Sequence, residues 1–125
     1  MIKPTDAELE ILQTLWKEGP STVRSVNEKL NEKREIGYTT TLKMMQLMTD
    51  KGILTRDESN RTHIYTAKIS EESIQKNLLD RLMETAFGGS AMKLVMQALG
   101  NKKTSKEELE QIKNLINKIE KGGQK

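Results

Sequence analysis

The chain is expected to be mainly α-helical with one small β-hairpin, and three observations lead there. Apolar residues recur at helical spacing through most of the sequence. Glycine and proline fall between those periodic stretches, at Gly19-Pro20, Gly37, Gly52, Gly88-Gly89 and Gly100. One stretch departs from the helical period: two short segments flank the polar turn Glu58-Ser59-Asn60 and carry basic and aromatic side chains. An amphipathic helix followed at once by a small basic hairpin is the arrangement of a winged helix-turn-helix. The expected organisation is a winged-helix DNA-binding domain over residues 1–68 and a helical dimerisation region over 69–125.

The elements follow in order. Thr5-Asp6-Ala7-Glu8 reads as a capping box, with Thr5 accepting from an early amide and Glu8 reaching back. The helix it opens carries Leu9, Leu12, Leu15 and Trp16 on one face and stops at Gly19-Pro20. Ser21 or Thr22 caps a second helix with Val23, Val26 and Leu30 inward, which fades into Asn31-Glu32-Lys33-Arg34-Glu35. A third helix runs roughly from Thr39 to Lys51, and Gly52 ends it. Beyond the hairpin, Ser70 caps a longer helix with Ile74, Leu78, Leu82 and Met83, ending at Phe87-Gly88-Gly89. Ser90 caps a fifth with Leu94, Val95, Ala98 and Leu99. Ser105-Lys106-Glu107-Glu108 reads as another capping box, opening a last helix whose Leu109, Ile112, Ile116 and Ile119 make one apolar seam.

Composition narrows the function classes. At 125 residues the chain holds one ordinary domain, or a small domain with an appendage. Charged residues are 31% and apolar ones 34%, and no run approaches the roughly 18 apolar residues of a membrane span. The opening Met-Ile-Lys-Pro-Thr-Asp enters a capped helix without a hydrophobic signal region, so the expected location is the cytoplasm, with no membrane insertion. Without cysteine, disulfides, thiolate catalysis and thiolate metal sites are excluded. With one histidine and no glycine-rich phosphate loop, an enzyme has little to be built from, and neither cofactor nor metal is expected. The net charge of +3 does not itself argue for nucleic acid: residues 1–67 carry ten basic and ten acidic side chains. Local placement has to decide.

Placing the third helix at about 100° per residue separates two faces. Leu42, Met44, Met45 and Met48 cover one; Thr39, Lys43, Gln46 and Asp50 lie on the other, with Thr40 at the border. Those polar side chains suit base edges and phosphates, although a plain solvated face has the same composition. The hairpin tips the balance towards DNA. Arg56 precedes its turn and Arg61 follows it; Arg61, His63 and Tyr65 alternate in sequence, which on a strand places them on one face. Arg61 is read as a phosphate ligand. Tyr65 is read as partly structural, packing against the first helix, and His63 is open between wing contact and plain surface.

The last three helices are too short to make a core of their own, so their stripes need a cover. A second copy of the chain supplies it economically, through Ile74, Leu78, Leu82, Leu94, Val95, Leu109, Ile112, Ile116 and Ile119. Folding back onto the winged helix is the alternative. A dimer also places two third helices on a two-fold-related operator in double-stranded DNA.

In sequence order, Asp6-Ala7-Glu8-Leu9-Glu10-Ile11-Leu12-Gln13-Thr14-Leu15-Trp16, Tyr38-Thr39-Thr40-Thr41-Leu42, Lys51-Gly52-Ile53-Leu54, Arg61-Thr62-His63-Ile64-Tyr65, Phe87-Gly88-Gly89-Ser90 and Leu94-Val95 resemble the penicillinase-repressor family, the BlaI/MecI/CopY group. Together they cover nearly the whole chain. The resemblance implies a homodimeric repressor on a dyad operator, dimerised by its C-terminal helices. In antibiotic-responsive members a membrane sensor metallopeptidase signals β-lactam, and the repressor is cut in the dimerisation region. Here that cut maps near Met96-Gln97-Ala98, where those members have an Asn-Phe pair and this chain has Gln97-Ala98. Copper-responsive members carry a cysteine motif that this chain lacks, and many relatives carry Arg where Leu47 stands. The rival to a repressor is a helical protein–protein adaptor on a winged-helix scaffold.

Overall fold

The computed structural model describes residues 3–100 and 104–122. Its elements are α1 (Asp6–Glu18), α2 (Val23–Leu30), α3 (Tyr38–Asp50), β1 (Leu54–Asp57), β2 (Ile64–Ala67), α4 (Glu71–Phe87), α5 (Ala91–Gly100) and α6 (Lys106–Gly122). They form two compact units, Met1–Asp80 and Arg81–Lys125, the division falling within α4.

In the first unit, local chemistry sets the helix ends. The Thr5 hydroxyl accepts from the Glu8 amide at 3.1 Å, and Glu8 Oε1 accepts from the Thr5 amide at 3.0 Å, so the capping box is formed in both directions. Thr22, not Ser21, caps α2 by accepting from the Ser25 amide. Ser21 instead exchanges two backbone hydrogen bonds with Tyr65, adding a one-residue bridge to the hairpin. At the end of α3, Gly52 takes φ +83°, and the Ile53 amide donates back to the Met48 carbonyl at 2.9 Å. This is the left-handed closure that only glycine enters without strain.

Packing follows from those ends. α1 contributes Ile11, Leu12 and Leu15, α2 contributes Val23, Val26 and Leu30, and α3 contributes Met45 and Met48 to one core. Ile53, Leu54 and Tyr65 close it from the hairpin side. Truncating a fully buried member such as Leu12 to Ala costs about 2–5 kcal/mol, a large part of a small unit's stability. The Trp16 indole N–H donates to the Ile69 carbonyl at 2.9 Å, tying α1 to the segment that leaves the sheet. The α3 core face differs from the periodicity reading. Thr41 is fully buried, where it accepts from Asn27 of α2, whereas Leu42 and Met44 are only half-buried.

β1 and β2 pair antiparallel in the register Leu54↔Ala67, Thr55↔Thr66, Arg56↔Tyr65 and Asp57↔Ile64. The strand starts at Ile64, so Arg61 and His63 lie in the connecting turn. The alternation expected to line them up with Tyr65 therefore does not apply to them. Inside that turn the Asp57 carboxylate accepts from the Ser59 amide at 2.9 Å.

The second unit is built differently. Ser90 and Ser105 hydroxyls accept from the Lys93 and Glu108 amides and start α5 and α6. No described residue of α5 or α6 is buried. Leu82, Val95, Leu109, Ile116 and Ile119 stand exposed, joined by Leu79, Met92, Met96 and Leu115, which the seam reading had left out. Leu78, Leu94 and Ile112 are half-buried. Ile74 is the exception among the residues assigned to dimerisation. It is 2% exposed within its own chain, so it is a packing residue of the first unit and not part of a free surface.

Candidate nucleic-acid interface

α3 carries the site. Its buried side is Thr41, Met45 and Met48. On the opposite side Thr39, Thr40, Lys43 and Gln46 are all exposed, with Asp50 beyond them. The helix thus brings together the four α3 residues singled out from the sequence. Leu47, 49% exposed and one turn beyond Lys43, shares that surface, and Tyr38, 48% exposed, flanks it at the first turn. Leu47 was legible as an apolar residue at the centre of a polar stripe.

The turn of the hairpin stands close to the start of α3. Thr22, Val23 and Arg24 at the beginning of α2, Tyr38 and Leu42 of α3, and Arg61, Thr62, His63 and Tyr65 line one groove of about 500 Å³. Arg24 and Arg61 sit on its rim without a carboxylate partner among the described residues. The groove also receives the N-terminal ends of two helices, which carry partial positive charge. Cationic side chains, a phenol, a hydroxyl and an imidazole around helix starts form a surface suited to phosphate oxygens. Arg24, Tyr38 and Thr62 were missed from the sequence. The signal for Arg24 and Tyr38 was their place in the first turns of α2 and α3.

Two residues expected at the interface are otherwise engaged. Tyr65 is 2% exposed and belongs to the core, so its ring is structural. A β-strand packed against α1 and bridged to Ser21 holds it there. Arg56 lies with its guanidinium carbon 6.0 Å from the centroid of that ring and its Nε 2.6 Å from Glu58 Oε2. Tyr65 first, then Glu58, raise the Arg56 guanidinium above its ordinary value. The Glu58 pair takes the Arg56 Nε and partly offsets its charge.

Elsewhere in this unit ion pairs tie α1 to its neighbours. Lys51, just past α3, reaches Glu8 of α1 at 2.7 Å, and Arg34 pairs with Glu10 of α1. Burial pushes the Glu8 carboxyl up, but hydrogen bonds from Lys51 and the Thr5 amide, with the Lys51 charge, outweigh it and leave it lowered. Asp57 is lowered by the Ser59 amide and hydroxyl. In the second unit, Gln97 and Ala98 are exposed on α5.

Comparison with known proteins agrees with this geometry. The penicillinase repressor family model matches residues 4–118. A penicillinase repressor of Staphylococcus aureus is 20% identical over 115 residues, 92% of this chain and 91% of that protein. The transcriptional regulator BlaI of Mycobacterium tuberculosis is 29% identical over 87 residues, 68% of this chain and 63% of that protein. Among solved structures, a MarR family protein from Bacillus stearothermophilus superposes with a TM-score of 0.55 at 19% identity, covering 99% of this chain and 78% of that one, which bears on the winged-helix fold alone. The match across nearly the whole chain decides the assignment: this protein belongs to the penicillinase repressor family, a family of transcriptional regulators and not of enzymes.

Proposed function

We propose that the chain is a homodimeric transcriptional repressor that occupies a dyad operator in double-stranded DNA. The observation that carries this is the exposed stripe Thr39, Thr40, Lys43 and Gln46 on α3, beside a groove rimmed by Arg24 and Arg61. α3 enters the major groove, where Lys43 and Gln46 meet base edges and Thr39 and Thr40 approach edges or phosphates. Leu47 offers the apolar contact that a thymine methyl accepts. Arg61 and His63 on the wing, with Arg24, take phosphates on either side.

Residues 1–68 are the DNA-binding part and 69–125 the dimerisation part in this reading. The exposed apolar residues of α5 and α6 support it, since a solitary chain leaves Met92, Met96, Ile116 and Ile119 more than half exposed. Among the described residues no helix is long and apolar enough to cross a membrane, and the repressor is placed in the cytoplasm beside its operator. Its release is assigned to a membrane sensor metallopeptidase that responds to β-lactam and cuts α5 near Gln97-Ala98.

Selection by the full chain from a pool of random duplexes, at near-physiological salt, tests the reading. A repressor enriches one sequence with two-fold symmetry. A protein–protein adaptor retains no duplex in preference to another, and that outcome would remove the proposal.

A further inference from the structure

α3 begins without a side-chain cap: its cap residue is Gly37, which has no side chain to accept from the first turn. The start of the helix is anchored instead from outside it. Two asparagines one turn apart on and just after α2 do this. Asn27 Nδ2 donates to the Ile36 carbonyl at 3.1 Å and to Thr41 Oγ1 at 2.8 Å, using both of its hydrogens. Asn31 holds the same residue through both of its flanking peptides: its Oδ1 accepts from the Ile36 amide at 3.1 Å, and its Nδ2 donates to the Ile36 carbonyl at 2.9 Å. Asn31 Nδ2 also donates to the Asn27 carbonyl at 2.7 Å, locking the pair to each other.

The acceptor on α3 is well placed for leverage. Thr41 is fully buried, and it lies between the exposed Thr39, Thr40 and Lys43. Gln46 is five residues further, about 7.5 Å along the axis. A helix tilted by roughly 10° about its first residue would carry Thr41 by about 0.8 Å and Gln46 by about 2 Å, enough to disturb the bond from Asn27 and to spoil a hydrogen bond to a base edge. Apolar packing of Met45 and Met48 resists separation of the helices, but it is non-directional and tolerates such a tilt. A hydrogen bond from a held amide to a buried hydroxyl does not, because its distance and angle are both constrained.

We propose that Asn27, acting through Thr41 and the Ile36 peptide, is a positioning residue that sets the angle of α3 on duplex DNA and so governs discrimination between sequences. The inference rests on the DNA-binding reading above. Asn27 touches no DNA in it; its effect passes through Thr39, Lys43 and Gln46.

The test uses the full chain, the duplex that the wild type selects from a random pool, and a scrambled duplex of equal composition. Affinities are measured for wild type, Asn27→Ala, Thr41→Val and the double variant, each below the onset of its melt as followed by Trp16 fluorescence. Asn27→Ala is expected to lose about tenfold or more for the selected duplex, while scrambled-duplex affinity and salt dependence stay within about twofold. Thr41→Val is expected to lose in the same direction, and the double variant no more than Asn27→Ala. An unchanged ratio of selected to scrambled affinity, with only a lower melting temperature, would make Asn27 a stability residue and overturn the inference. If Asn27→Ala does not fold, an unchanged ratio in Thr41→Val does the same. A wild type that selects no sequence overturns the DNA reading itself and this inference with it, whereas a selective wild type with unaltered variants overturns only the inference.

Discussion

Lys51 Nζ lies 2.7 Å from Glu8 Oε2, joining the end of α3 to the first turn of α1. The same carboxylate group caps α1 through the Thr5 amide, so one side chain serves two elements. The Glu8 carboxyl is lowered, and a group lowered by folding stabilises the protein above its unfolded value and loses that contribution as pH falls through the folded one. Glu8→Gln keeps a capping acceptor but removes the charge. It is expected to cost about 1 kcal/mol at pH 7, discounted because Lys51 is more than half exposed. That difference should shrink as the pH falls through the ordinary glutamate range and vanish only below the lowered folded value. Melts followed by Trp16 fluorescence at pH 7 and pH 3 measure it; an equal difference at both would show that the charge is not what Glu8 contributes.

Arg61 sits in the hairpin turn, exposed on the rim of the groove. Arg61→Ala should weaken selected and scrambled duplexes alike and lower the salt slope by about one contact. A loss confined to the selected duplex would instead place Arg61 at a base.

Leu47 is half exposed among Lys43, Gln46 and Asp50, where burying it against another protein would also bury charge. Replacing thymines of the selected duplex one at a time by uracil removes only the C5 methyl. At one position in each half-site this should cost the wild type about fourfold, and Leu47→Ala should be insensitive to it. If every uracil-substituted duplex behaves identically for both proteins, Leu47 does not read a methyl.

Ile116 is 53% exposed in the middle of the α6 seam. Ile116→Lys should turn a dimer into a monomer in sedimentation velocity, since an unpaired charge at an apolar interface is strongly unfavourable. A dimer that survives the change would move the interface away from this face.

Much of the first unit was legible because its signals are local. The Thr5–Glu8 box and the Gly52 closure are each decided within a few residues, and the α2 cap was narrowed to Ser21 or Thr22. The α3 polar face followed from period alone, and its exposure agrees. What stayed hidden depends on partners distant in sequence. The burial of Thr41 goes with its bond from Asn27, and the bridge from Ser21 to Tyr65 spans the first unit, although the packing of Tyr65 on α1 was itself expected. Neither leaves a periodic trace. Ile74 looked continuous with Leu78 and Leu82, but Ile74 is buried within its own chain, Leu78 half-buried and Leu82 exposed. Arg61 and His63 were placed on a strand because alternation was counted back past the point where pairing begins at Ile64.

Affinity of Lys43→Ala and Gln46→Ala for the selected duplex tests most directly whether α3 lies in the groove. Both side chains are exposed and outside the core, so melting temperatures should stay near wild type, within about 0.5 kcal/mol of stability. Each variant should bind the selected duplex about tenfold more weakly or worse and accept changed bases at one position per half-site. Wild-type affinity and unchanged base preference in both variants would show that another surface of the protein reads the DNA.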